Sequence, residues 1–200
     1  MSVFSSKRRT LLSAAAMAAL APMLGACGKE EPAFIGSDIT GTELGKDMAM
    51  IDGSGQLRTL ADYKGKVVVV FFGFTQCPDV CPTAMAELAQ TMELLGDDAA
   101  KVQVLMVSVD PERDTPEILS AYVSAFNPNF VGLTGSPEQL STTAKSFKAY
   151  YAKSPGATPD QYSMDHASSF YLIDTEGEAR VLVSGNASAQ DMANDISQLL

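Results

Sequence analysis

Cys77 and Cys81 stand in the run Gly73-Phe74-Thr75-Gln76-Cys77-Pro78-Asp79-Val80-Cys81-Pro82, and their spacing invites chemistry. A thiolate attacks disulfides and binds soft metals. Each cysteine precedes a proline, a position pushed out of the α region, and Pro82 suits the first residue of a helix. Both cysteines are therefore expected to be extended, with Cys81 at an N-cap and both sulfurs facing a helix end of partial positive charge. That environment lowers thiol pKa values. A disulfide closing so short a ring would be a poor structural staple, because it removes little chain entropy. A functional pair, redox-active where the disulfide forms, is the better reading. The chain holds a single histidine, His166. Two thiolates and one imidazole would make a site for a soft metal.

The elements that must position these residues follow from periodicity. Val67 to Phe72 is a short apolar run of β-branched and aromatic residues, read as a buried strand. Met85, Leu88, Met92 and Leu95 recur at helical spacing up to the stop signal Gly96, predicting a helix over 82–95. Residues 101–110 read as a second buried strand. Helices are expected from Asp114-Thr115-Pro116-Glu117 to about Phe126, from Ser136-Pro137-Glu138 to about Lys148, and over 188–200. Residues 49–52 and 56–60 form a hairpin across Gly53-Ser54-Gly55, and 168–174 with 178–184 form another. Tyr150-Tyr151 reads as a short strand, and 153–162 as a loop with Pro155, Gly156 and Pro159. Alternating strands and helices that close with a hairpin and a helix predict a thioredoxin-like α/β sandwich. Its mixed central sheet is flanked by helices and extended by an N-terminal β-hairpin.

In that fold the loop before the strand at 168–174 faces the thiol turn, which brings His166 toward Cys77 and Cys81. Ordinary thioredoxins carry a cis-proline there; here the position falls to an imidazole. A lone histidine is more often a satisfied side chain than a ligand, but the pairing with two thiols favours a ligand. A closed zinc site wants four ligands, and a blue-copper site wants two histidines and one cysteine. Cys77, Cys81 and His166 suit three-coordinate Cu(I), or Cu(II) with one further weak ligand. The same cysteines can close into a disulfide, so metal binding and redox are linked. Asp110 leaves the end of the second buried strand, where ligand sites of α/β folds gather, and is a candidate contact behind the thiols. Asp114 reads instead as part of a capped loop, with Asp114 or Thr115 as the N-cap and Arg113 as a local ion-pair partner. Met164 stays open as an axial ligand; the other methionines read as core filler.

Composition bounds the rest. With 46% hydrophobic residues the chain can bury a real core. Lys7, Arg8 and Arg9 precede the small apolar stretch Thr10 to Ala21, and Leu24-Gly25-Ala26-Cys27 follows. Residues 1–26 read as an export signal of lipoprotein type, with Cys27 lipidated after cleavage. Residues 27–45 read as a tether and irregular lead-in, and 46–200 as the folded domain. The formal charge is −10; removal of three basic residues with the leader leaves 11 basic against 24 acidic, or about −13. Such a surface is hostile to nucleic acid.

The thiol run from Phe72, the stretch Val109-Asp110-Pro111-Glu112-Arg113-Asp114-Thr115-Pro116 and Asp165-His166 before Tyr171-Leu172-Ile173-Asp174 resemble the Sco/SenC family. The likeness covers roughly residues 35–200. It implies a thioredoxin-like, membrane-tethered copper-binding protein that serves the copper A centre of cytochrome c oxidase, with Cys77, Cys81 and His166 as ligands. The partners so implied are the copper-bearing oxidase subunit, other copper chaperones or a thiol reductant, and the membrane. The implied location is the periplasmic face of the bacterial inner membrane, with a lipid anchor in place of a transmembrane one. A thiol-disulfide oxidoreductase that reduces the oxidase cysteines remains the alternative. Thr75-x-Cys77 also resembles a peroxidase motif, but the proline expected before the threonine is missing, so that reading ranks last.

Overall fold

The computed structural model describes residues 33–156 and 161–200; the leader and Cys27 lie outside the described residues. In chain order the strands are β1 (Ser37–Asp38), β2 (Met50–Asp52), β3 (Leu57–Arg58), β4 (Val67–Gly73), β5 (Val102–Ser108), β6 (Val131–Thr134), β7 (Tyr151–Pro155), β8 (Tyr162–His166), β9 (Phe170–Ile173) and β10 (Ala179–Val183). The helices are α1 (Val80–Leu95), α2 (Pro116–Ser124), α3 (Pro137–Phe147) and α4 (Ala189–Ser197).

Eight strands form one mixed sheet in the order β1-β10-β9-β4-β5-β6-β2-β3. Its centre is parallel: β4 pairs with β5, and β5 with β6. The other pairings are antiparallel. The apolar run of β4 explains its central place, since every residue from Val67 to Gly73 is buried. A strand covered on both faces has no polar face to offer. Phe71 and Phe72 are both essentially inaccessible, and burial of each side chain is worth roughly 1.5–3 kcal/mol.

Helix α1 buries Cys81, Ala84, Met85, Leu88, Thr91 and Met92, the stripe that a 3.6-residue period dictates. It ends at Gly96, whose φ of 56° favours a residue without Cβ. Helices α3 and α4 start at Ser136 and Ser188, each closed by a capping box. The expected hairpin at 49–60 is present as β2 and β3, and it completes the sheet edge beside β6. The lead-in is fastened to the sheet as well. β1 pairs with β10, and the N–H groups of Ile35 and Gly36 donate to the buried Asp195 carboxylate at 2.7 and 2.8 Å.

Two expectations are corrected. Helix α1 starts at Val80 with Asp79 as its N-cap, so Cys81 is helical rather than extended. The proline restriction on the preceding residue is a preference, and burial of Cys81 on the apolar stripe overrides it. Within the loop expected over 153–162, residues 153–155 end β7 and Tyr162 opens β8; these two strands pair with each other and stand apart from the main sheet.

Candidate metal centre

The register of the sheet builds the site. β4 and β5 are parallel, so both release their chains at the same edge: β4 into the thiol turn, β5 into residues 109–115. β9 runs antiparallel to β4 with Phe170 opposite Phe71, which brings the start of β9 to that same edge. His166 lies four residues before Phe170, at the end of β8. Three segments far apart in sequence therefore meet where ligand sites of α/β sheets form.

One ligand atom each from Cys77, Cys81 and His166 lie within 4.8 Å of one another. Atoms bound about 2.0–2.3 Å from one ion stand roughly 3.4–4 Å apart, so this triangle closes on a metal with small shifts. Cys81 Sγ is 3.5 Å from His166 Nε2. The Cys81 N–H, in the first turn of α1, donates to Cys77 Sγ at 3.4 Å. Both thiols are free. Gly73 makes room for them: a Cβ there would stand 2.7 Å from Phe71 and 3.0 Å from Cys81 Sγ. The imidazole is oriented by Phe71 and Phe74, which meet it nearly edge-on at 6.1 and 5.8 Å between centroids. His166 Nδ1 lies 2.9 Å from the Ala167 carbonyl. A carbonyl can only accept, so in the neutral ring Nδ1 holds the proton and Nε2 turns its lone pair toward the sulfur. A pocket of about 310 Å³, lined by Phe74, Cys77, Val80, Met164 and His166, opens onto the site.

The expected thiol activation is not uniform. Cys81 is fully buried, and desolvation pushes its thiol well above the ordinary value despite a backbone hydrogen bond from Phe74. Burial thus favours the thiol form of Cys81, whose sulfur stands beside His166 Nε2. Cys77, half-buried, is the more accessible sulfur.

Asp110 is buried, and its carboxylate has partners of its own. It pairs with Arg113 and accepts from the Tyr162 hydroxyl at 2.8 Å. Burial and that hydrogen bond push the Tyr162 hydroxyl up to about 12, so it stays a donor. Asp114 is no helix cap; Thr115 caps α2 by accepting from the Ile118 N–H. Asp114 is instead fully buried against the thiol turn. It accepts from the Thr75 N–H at 3.1 Å, the Thr75 hydroxyl at 2.6 Å and the Ser108 hydroxyl at 2.6 Å. Sequence reasoning missed this because capping is the default for an acid at a helix start. The run of three acids and an arginine after a buried strand was the available signal. Met164 is buried and lines the pocket. Tyr162 and Gln76, both in contact with Arg113, carried no sequence signal at all.

The geometry has relatives. Residues 37–200 match the SCO1/SenC family. The chain is 36% identical to the SCO2-like protein of Rickettsia felis over 137 residues, which span 68% of this chain and 67% of that one. Among solved structures, apo Sco1 of Thermus thermophilus superposes with a TM-score of 0.76 at 37% identity, over 86% of this chain and 99% of that one. ScoI of Bradyrhizobium japonicum, determined with copper bound, gives 0.70 at 34% identity, over 84% and 100%. The thioredoxin-like fold, the sulfur and imidazole triangle at its strand ends, and a sequence match that spans the folded residues all agree: the chain belongs to the SCO1/SenC family.

Proposed function

We propose that this protein is a copper carrier: Cys77, Cys81 and His166 hold copper and pass it to the copper A site of a cytochrome c oxidase subunit. The observation that carries the reading is the meeting of two sulfurs and one imidazole nitrogen within 4.8 Å on separate segments. Soft sulfur with imidazole suits copper better than a hard cation, and the copper-bound state of the Bradyrhizobium relative supports it. Three protein ligands leave the ion open on the pocket side, where a partner's thiol could take it in exchange. Residues 1–26 serve as the export signal and Cys27 as the lipid-bearing residue. The residues between Cys27 and Phe34 act as a tether that holds the folded unit, Phe34–Leu200, at the periplasmic face of the inner membrane.

A Cu(I) competition titration of the reduced chain tests the reading. One tight ion per chain, weakened more than about tenfold by His166→Ala, is the expected result; binding indifferent to His166 would overturn it. The second reading, a thiol-disulfide oxidoreductase, draws on the unequal burial of the cysteines. Accessible Cys77 would attack a partner disulfide, and buried Cys81 would then close on Cys77 to release the reduced partner. In that reaction the partner gains two electrons and two protons, and the Cys77–Cys81 pair loses them. His166→Ala would leave it largely intact.

A further inference from the structure

Hairpin β7–β8 carries His166, yet it pairs with no strand of the main sheet. A two-stranded hairpin is marginal by itself, so its position depends on what fastens it. Among the described residues, the hydrogen bonds and ion pairs that join it to the sheet, apart from His166 to Cys81, end on Asp110, Glu112 and Arg113. The Tyr162 hydroxyl donates to Asp110, Lys153 pairs with Glu112 at 2.8 Å, and Arg113 donates to the Tyr162 carbonyl. Those three residues occupy the turn after β5, whose backbone is closed by bonds from the Arg113 and Asp114 N–H groups to the Asp110 carbonyl. Asp114 in turn holds Thr75 of the thiol turn.

Arg113 stands at the junction. Its Nε pairs with Asp110, and its Nη1 lies 3.1 Å from both Gln76 Oε1 and the Tyr162 carbonyl. Gln76 adjoins Cys77, and Tyr162 opens the strand that ends in His166. The guanidinium also lies 3.8 Å from the centroid of the Tyr162 ring and 5.9 Å from that of Phe74, the ring that meets His166 edge-on. An ion pair alone would use only the Asp110 contact. Nη1 reaches the two segments that carry the ligands, while Nη2 is buried with no hydrogen-bond partner; a lysine ammonium cannot reproduce the joint reach of Nε and Nη1.

We propose that Arg113 is a positioning residue: it fastens the β7–β8 hairpin to the thiol turn, and thereby sets where His166 Nε2 stands relative to Cys77 and Cys81. The inference rests on the copper reading for its consequence, but its geometry is independent of any metal. Removal of the clamp lets the hairpin move and weakens the third ligand without touching the sulfurs.

The test uses the full reduced chain with Arg113→Lys, which keeps the charge beside Asp110, and Tyr162→Ala, which removes the stacked ring. Tyr162→Phe retains the ring and the carbonyl that meet Arg113 and removes only the hydroxyl bond to Asp110, so it separates the Arg113 contacts from that bond. Two readouts are taken: Cu(I) affinity by competition, and amide hydrogen exchange of residues 162–166 without metal. Arg113→Lys and Tyr162→Ala should each lower affinity roughly three- to tenfold, an effect of the size seen when groups that orient metal ligands are lost. In a His166→Ala background the same changes should cost less than about twofold, because the ligand they act through is gone. Hairpin exchange should rise about tenfold in both variants, and Tyr162→Phe, which loses only the hydroxyl bond to Asp110, should fall between wild type and Tyr162→Ala. An equal loss of affinity in both backgrounds would overturn the proposal, as would unchanged hairpin exchange. Should His166→Ala leave copper affinity intact, the copper reading of that residue fails, and exchange alone then decides whether the clamp stands.

Discussion

Cys77 and Cys81 stand at the end of a seven-residue parallel pairing, whereas His166 ends a hairpin that pairs only with itself. The thiol turn grows directly from the two central strands and runs into a four-turn helix packed against α4. Its outer loop is pinned by a fully buried carboxylate, Asp114. The hairpin is held by the buried Met164 and a few polar contacts, of which Lys153 with Glu112 is exposed. Exposed pairs of that kind contribute at most about 1 kcal/mol. Two ligands are thus set by the main sheet and its helix, and the third by an arm that shares no strand pairing with them. Under the proposed carrier role the difference would be useful: the sulfurs would retain the ion while the imidazole withdrew as the ion moved to a partner.

The largest test of this contrast is Cys81→Ser. It should lower Cu(I) affinity on the order of a thousandfold in the competition assay, since hard oxygen replaces a soft ligand in a buried place. His166→Ala should cost less, about ten- to a hundredfold, and should leave the circular dichroism of the fold unchanged. Equal losses for the two would end the distinction between core ligands and arm ligand. Titration sharpens it further. Burial pushes the Cys81 thiol up, so at neutral pH copper must displace its proton. Affinity should therefore rise with pH, by about tenfold per unit for each proton released. A flat profile between pH 6 and 8 would mean that Cys81 is already ionised.

Asp114→Asn tests the pin of the thiol turn. It leaves the Thr75 and Ser108 hydroxyls with a poorer acceptor, and should cost about 1–3 kcal/mol in denaturant unfolding. Copper affinity should fall as well, because the turn that carries Cys77 loosens. Ser188→Ala supplies the smallest effect and a control. It breaks the capping box of α4, should cost about 1 kcal/mol of stability and should leave copper binding unchanged.

Much of the molecule was legible in advance, for reasons tied to particular residues. The unbroken Val67 to Phe72 run specified a central strand, and the stripe from Met85 to Met92 specified the helix after it. The motif around Cys77 and Cys81 combined with His166 in a donor set that few metals suit. The thiol pKa was misjudged because local sequence reports the helix end but not the depth of burial. Hairpin β7–β8 was missed because a stretch with Pro155, Gly156 and Pro159 carries turn signals stronger than its strand signals. Of the two cap candidates, Thr115 caps α2 while Asp114 holds the thiol turn, and Asp110, read as a candidate contact behind the thiols, bonds to the hairpin.

By itself the sequence determined which donor atoms the protein can offer and which strand and helix present the sulfurs, because side-chain chemistry and hydrophobic period are local properties. Only the tertiary structure decided that His166 reaches Cys81, that Cys81 is a buried thiol, and that Arg113 joins Gln76 to Tyr162. Those facts depend on strand order, register and solvent exclusion, and none of these is specified by any short stretch of chain.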